Sequence, residues 1–276
     1  MIDRALQQIG CILLLLASAA VTASTPAAPA MPLWQTLEFE QKAFWATARS
    51  RIDLTPVAEK PGFWQLEADS SVLDNSERVE LLLNANSGKA VQRTRLSAGK
   101  DQRIKHYDYG KQSIERVRRN PGTTTNLPPA QWPVTSERSI DYPQDTRDHV
   151  ITDAYALLVL ADRMQADSAA AASVVVHTDF NFYQVRMTRG NGITIPVDYT
   201  IDNTRHISGE RDTRAVKLEI TPLGTLMEKP DFSFMGLHGS ITLLYDAVSG
   251  QLLQIRGTAP RIGDARIDLK AVTLRG

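Results

Sequence analysis

The chain has 276 residues, 42% of them hydrophobic, and its 31 Lys and Arg are balanced by 31 Asp and Glu. That balance excludes a general electrostatic affinity for nucleic acid, while the length is enough to bury a large core. The lone cysteine, Cys11, excludes an internal disulfide, and once the N-terminal segment is removed no thiolate remains for catalysis or metal binding.

In chain order the first element is an export signal. Arg4 supplies a short basic region, partly offset by Asp3, and the run from Cys11 to Leu16 supplies the apolar core. Val21-Thr22-Ala23 places small residues where a signal peptidase reads them, so residues 1–23 are expected to be cleaved and the protein to be periplasmic. The apolar stretch is too short for a comfortable membrane span. Lipidation at Cys11 is disfavoured, because in a lipoprotein signal the apolar run precedes the cysteine. Residues 24–36 then read as a Pro- and Ala-rich tether, in which Pro26, Pro29 and Pro32 rule out a helix or a strand ladder.

Residues 37–276 read as a single β-rich domain. Alternating apolar and polar residues predict strands over 43–54, 63–71, 78–83, 90–96, 102–109 and 113–118, separated by short turns that make neighbours antiparallel. The stretch 120–143 breaks this pattern with five prolines and reads as a lid or a connection between halves. One helix is predicted, over 152–165. Thr152 or Asp153 can cap it, and Ala154, Leu157, Leu158, Val159, Leu160 and Ala161 make it apolar nearly all round, so it must be buried against the concave face of the sheet. Strands resume over 173–177, 182–188, 193–201, 215–221, 240–245, 252–257 and 265–274. Gly190-Asn191-Gly192 reads as a loop.

Residues 82–92 align without gaps on 244–254, each with Asn or Asp opening a tight reversal and Gly at its left-handed position. Convergent hairpin chemistry explains this; so does a duplication into two similar halves, 37–119 and 173–276. The fold class is therefore mainly β: a large curved antiparallel sheet, half-barrel-like, with one buried helix. A signal peptide, serial antiparallel strands, hairpins of the type seen at Asp246 to Leu253 and a covering helix resemble uncharacterised Gram-negative periplasmic β-sheet proteins. Those are similar in architecture to the lipoprotein-carrier (LolA/LolB-like) half-barrels. The resemblance implies a curved sheet with a helical lid around an apolar cavity that receives acyl chains, and it carries over no specific residues.

The search for chemistry is mostly negative. His106, His149, His177, His206 and His238 are scattered, and none has the spacing of a helical metal site. His177 and Asp179 could share a strand face as two ligands, but a polar strand end before a turn is the simpler explanation. Gly236 to Ser240 lacks the Ser that a nucleophile elbow needs. Glu67 and Asp69 read as solvated alternation. The reading leans against an enzyme, with no catalytic residue, no metal and no cofactor.

A local excess of charge is more informative. From Arg93 to Arg119 nine basic residues face three acidic ones. Alternation puts Arg93 with Arg95, Arg103 with Lys105, and Arg116 with Arg118 on common sides, and hairpin pairing can join them into one basic face, beside Tyr107 and Tyr109. These eight residues are the candidate ligand-binding set. Cross-strand ion pairs with the acid-rich stretch 38–80 are the structural explanation; an anionic lipid, an acidic glycan or another envelope protein is the functional one. Two readings of function follow. The first is a non-catalytic periplasmic binding or carrier-like protein for a lipid, glycan or other envelope component. The alternative is a structural or assembly factor that meets another envelope protein through the basic sheet face.

Overall fold

A computed structural model describes residues 31–43, 46–123, 127–146, 149–166, 171–226, 229–260 and 262–276. The expected signal peptide, most of the tether and the pair Phe44-Trp45 lie outside them. The first half holds β1 (Trp34–Ala43), β2 (Ala46–Pro56), β3 (Phe63–Val72) and β4 (Asn75–Asn84). It continues with β5 (Ala90–Ala98), β6 (Arg103–Tyr109), β7 (Ser113–Arg119) and β8 (Val134–Asp141). A two-residue strand, β9 (Ile151–Thr152), precedes the helix α1 (Ala156–Ala166). The second half holds β10 (Ala171–His177), β11 (Phe182–Ile201), β12 (Arg205–Leu223), β13 (His238–Asp246), β14 (Leu252–Ala259) and β15 (Gly263–Leu274).

All 15 strands belong to one sheet, which runs from β8 at one edge back to β1, crosses to β15 and descends to β9 at the other edge. Neighbours in this order are antiparallel throughout, except that β9 and β10 pair in parallel. The sheet also touches itself: the tip of β11, at Thr200 and Ile201, pairs in parallel with Ala271 and Val272 of β15. Strands β11 to β15 thereby form a hydrogen-bonded ring, which fixes the curl of the sheet.

The helix lies inside the curl and touches both halves. Leu157, Leu158, Val159 and Ala161 are buried. Arg163 donates to the carbonyls of Ala85 and Asn86 in the β4–β5 turn and lies over the Trp64 ring. From the other half Arg189 donates to the Met164 carbonyl at the helix C-terminus, where a cation also suits the helix dipole. Asp153 rather than Thr152 organises the N-terminal end, its carboxylate accepting from the Tyr155 amide at 2.8 Å, while the Thr152 hydroxyl donates to the Gly88 carbonyl.

Four expectations are corrected. Strand β1 starts at Trp34, inside the range read as tether. The Pro-rich stretch contains an edge strand, β8, because Pro133 and Pro143 flank it instead of interrupting it. Gly190-Asn191-Gly192 is a bulge within one continuous strand, with the register shifting between Asn191 and Thr194. A Cβ at Gly192 would fall 2.0 Å from the Thr213 carbonyl oxygen, so the close approach requires glycine. Strand β12 begins at Arg205, well before 215, as the partner that this long β11 needs.

The two echoing turns are built alike. The amides of Asn86 and Ser87 donate to the Asn84 side-chain oxygen, and those of Val248 and Ser249 donate to the Asp246 carboxylate. Gly88 and Gly250 close their turns onto the carbonyls of Asn84 and Asp246 at φ values of 74° and 72°. Each turn is flanked by a register shift, between Leu82 and Leu83 and between Leu244 and Tyr245.

Candidate functional site

Pairing register turns the basic residues into a row. Across β4 to β8 the directly opposed residues are Leu81, Arg93, Tyr107, Arg116 and Arg138, and the next row is Val79, Arg95, Lys105, Arg118 and Ser136. Directly opposed residues share a face, here the concave one, so the basic side is turned inward. Arg93, Lys105, Tyr107 and Arg116 are all buried.

Most of what answers these charges comes from the far side of the curl. Arg93 donates to Asp153 at 2.6 Å and to the carbonyls of His177 at 3.1 Å and Thr178 at 2.8 Å, and its guanidinium lies 3.8 Å from the centre of the Tyr107 ring. Asp179, just after β10, pairs with Lys105, accepts from the Tyr107 hydroxyl at 2.6 Å and lies 3.4 Å from Arg95. Arg95 also reaches Glu77 at 2.6 Å. An ionic seam thus joins the concave face of the first half to the β10 edge of the second. The acid-rich stretch contributes only Glu77 to it. Glu67, Asp69 and Glu80 surround Arg78 on the outer face, and Glu38 and Asp53 hold Arg51.

The electrostatics of the seam follow from this geometry. Burial would raise the pKa of Asp179, but Arg95, Lys105 and Arg93 together outweigh it and hold the carboxyl well below its ordinary range. Burial lowers the pKa of Lys105, against the pull of Asp179. His177 is pushed far below the usual imidazole value, first by burial and then by Arg93, so it is neutral at physiological pH. Its ring sits among those of Tyr107, Tyr109 and Phe182, and neither ring nitrogen has a hydrogen-bond partner. A carboxylate so thoroughly satisfied is a weak base, ill suited to taking a proton from another group.

Beside the seam the curl opens into a cleft of about 810 Å³. Small side chains from β2 to β5, among them Ala48, Ser70, Ser76 and Ser97, widen one wall. Met235, Ala259 and Ile267 line the facing wall, and Arg93, Arg95, Asp179 and Phe180 close the inner end. The β12–β13 connection is fastened there by Asp231, which accepts from the Thr178 hydroxyl at 2.7 Å, the Asn181 amide group at 2.8 Å and the Tyr183 hydroxyl at 3.0 Å.

All eight candidate residues share the concave side, but they do different things. Arg93 and Arg95 line the cleft and belong to the seam, and Arg103 also lines the cleft. Lys105 and Tyr107 hold Asp179. Tyr109 is buried against His177. Arg116 and Arg118 lie further toward β8, bonded to Ser136 and Asn120. Asp153, Phe180 and Asp231 were not singled out as binding residues by sequence reasoning, and Asp179 was weighed there only as a ligand beside His177, not as the partner of Lys105 and Tyr107. The signal available for Asp179 was its place after a strand end, with His177 two residues earlier. Among the described residues no group of three or more His, Cys, Asp and Glu side chains is placed to hold a metal ion.

No family model matches the chain. No curated protein matches it in sequence either. A solved structure similar to it is a beta-barrel-like protein of a domain of unknown function, DUF1849, from Brucella abortus. The two are 6% identical, and the match covers 90% of this chain and 100% of that one with a TM-score of 0.49.

Proposed function

We propose that this chain is a periplasmic, non-catalytic binding or carrier-like protein that takes a lipid or glycan component of the envelope into the cleft inside its curled sheet. The observation that carries the reading is the cleft itself, about 810 Å³ in volume. That is the size of a small-molecule or single-acyl-chain site, with a charged end to orient the ligand. The export signal in residues 1–23 supplies the compartment, and the carrier-like half-barrels that the sequence resembles supply the precedent for a ligand inside a curved sheet. The lining differs from an acyl pocket in being partly polar, which suits an amphiphile or a sugar better than a bare hydrocarbon. The assembly-factor alternative needs the basic face outside, and here that face is concave.

The test is a thermal-shift series with short-chain phospholipids and envelope-derived oligosaccharides, on the wild type and on Ser97→Trp, which fills the cleft from one wall. Stabilisation by one ligand class, lost in Ser97→Trp while the unliganded Tm stays within a few degrees of wild type, is the expected result. No shift from either class overturns the proposal.

A further inference from the structure

Charge is not balanced evenly along the concave face. Arg93, Arg95 and Lys105 all have carboxylates. Arg103, Arg116, Arg118 and Arg138 have none among the described residues. Three of the opposed pairs place like charges directly against each other, Arg95 with Lys105, Lys105 with Arg118 and Arg116 with Arg138, an arrangement that destabilises a sheet unless an anion sits between them. Asp179 lies against Arg95 and Lys105 and so answers the first two. Nothing among the described residues answers the third.

Arg116 sharpens the point. It is only 4% exposed, as deep as Arg93. Both leave Nε unpartnered among the described residues, but Arg93 has an aspartate and two carbonyls, whereas Arg116 donates to the Ser136 hydroxyl at 3.0 Å and faces the Phe180 ring at 6.0 Å. A buried guanidinium without a counter-charge is costly, and sequences keep one where an anion completes it.

Building on the cleft reading above, we infer that Arg116 and Arg138, flanked by Arg118, form an oxyanion subsite that takes a phosphate group of the ligand. Phe180 is common to both: its ring centre lies 6.0 Å from the Arg116 guanidinium, and the residue also lines the cavity. The body of an amphiphile can therefore lie along the cleft while its phosphate passes Phe180 to the guanidinium forks, which match phosphate oxygens two at a time. The phosphate could come from a phospholipid headgroup or be free inorganic phosphate, and the probes separate the two.

The full-length protein is titrated with inorganic phosphate, with short-chain phosphatidylglycerol and with the matching uncharged diacylglycerol. Arg138→Ala, an exposed change, should leave the fold intact and weaken phosphatidylglycerol binding about tenfold. Arg116→Met should abolish the phosphate-dependent rise in Tm and raise the unliganded Tm, because it removes an unanswered charge; a merely structural arginine would lower it. If phosphatidylglycerol and diacylglycerol bind equally well and Arg138→Ala changes neither, the subsite is overturned and the cleft reading stands. If phosphate binds through Arg138 but neither lipid does, the subsite stands as a free-phosphate site and the lipid form of the cleft reading fails. If no probe binds, the subsite fails together with the lipid form of the cleft reading.

Discussion

The two halves use one hairpin for opposite ends. In the first, the Asn84 turn sets Leu81 against Arg93, and the row continues through Tyr107 to Arg116. In the second, the Asp246 turn, with the same pattern of hydrogen bonds, sets Leu243 against Ile255, and the row continues to Ile267. Arg93 and Ile255 occupy equivalent positions: the one builds an ionic seam, the other a dry core. The hairpin dictates where a side chain points, and the partner across the curl dictates what it can be. Arg93 is tolerated because Asp153 and two carbonyls meet it; Ile255, fully buried, is in the apolar core.

The harshest way to break this comparison is to move the charge across. Ile255→Arg puts an unanswered cation into the apolar row, and a loss of more than about 4 kcal/mol is expected in urea unfolding, enough to leave little folded protein. Removing the answer within the ionic half is the next largest effect. Asp179→Ala leaves Lys105 and Arg95 short of a counter-charge and should cost about 3 kcal/mol, part of which Lys105→Met restores in the double variant.

Acid sharpens the contrast through two aspartates whose pKa values move in opposite directions. Asp179 is held low by its cations, so its contribution is complete above the ordinary carboxylate range and disappears as the pH falls below about 4. Asp162, on α1 and close to Trp34 and Tyr245, is pushed up to about 7 by burial, against a hydrogen bond from Trp34. Its folded form prefers the proton, so its contribution is complete below pH 4 and fades as the pH rises to about 7. Unfolding followed against pH should therefore lose its low-pH limb in Asp179→Asn and its decline between pH 4 and 7 in Asp162→Asn.

The smallest effect separates the turns. A Cβ at Gly88 would lie 2.6 Å from Leu160 of the helix, whereas at Gly250 nothing lies within 4 Å. Both bear the left-handed penalty, so Gly250→Ala should cost about 1 kcal/mol and Gly88→Ala somewhat more, read from denaturation midpoints.

What the sequence made legible follows from range. Alternation and turn residues located most strands and the helix, and put Arg93, Arg95, Lys105, Tyr107 and Arg116 on one side. Alternation defines two faces without saying which is concave, so it could not tell that this side is buried. Nor could it supply Asp153 and Asp179, which lie 60 and 74 residues from the groups they answer, Arg93 and Lys105. Strand β8 was hidden by prolines that bracket it, and the continuity of β11 by glycines that serve a bulge.

The most direct test of the central claim, that the cleft beside the ionic seam holds an envelope ligand, is native mass spectrometry of the protein purified gently from an envelope extract. The account predicts a co-purifying lipid or glycan mass on the wild type that is absent from folded Ser97→Trp. A wild-type protein that carries no added mass and gains none when incubated with envelope lipids and glycans would contradict it.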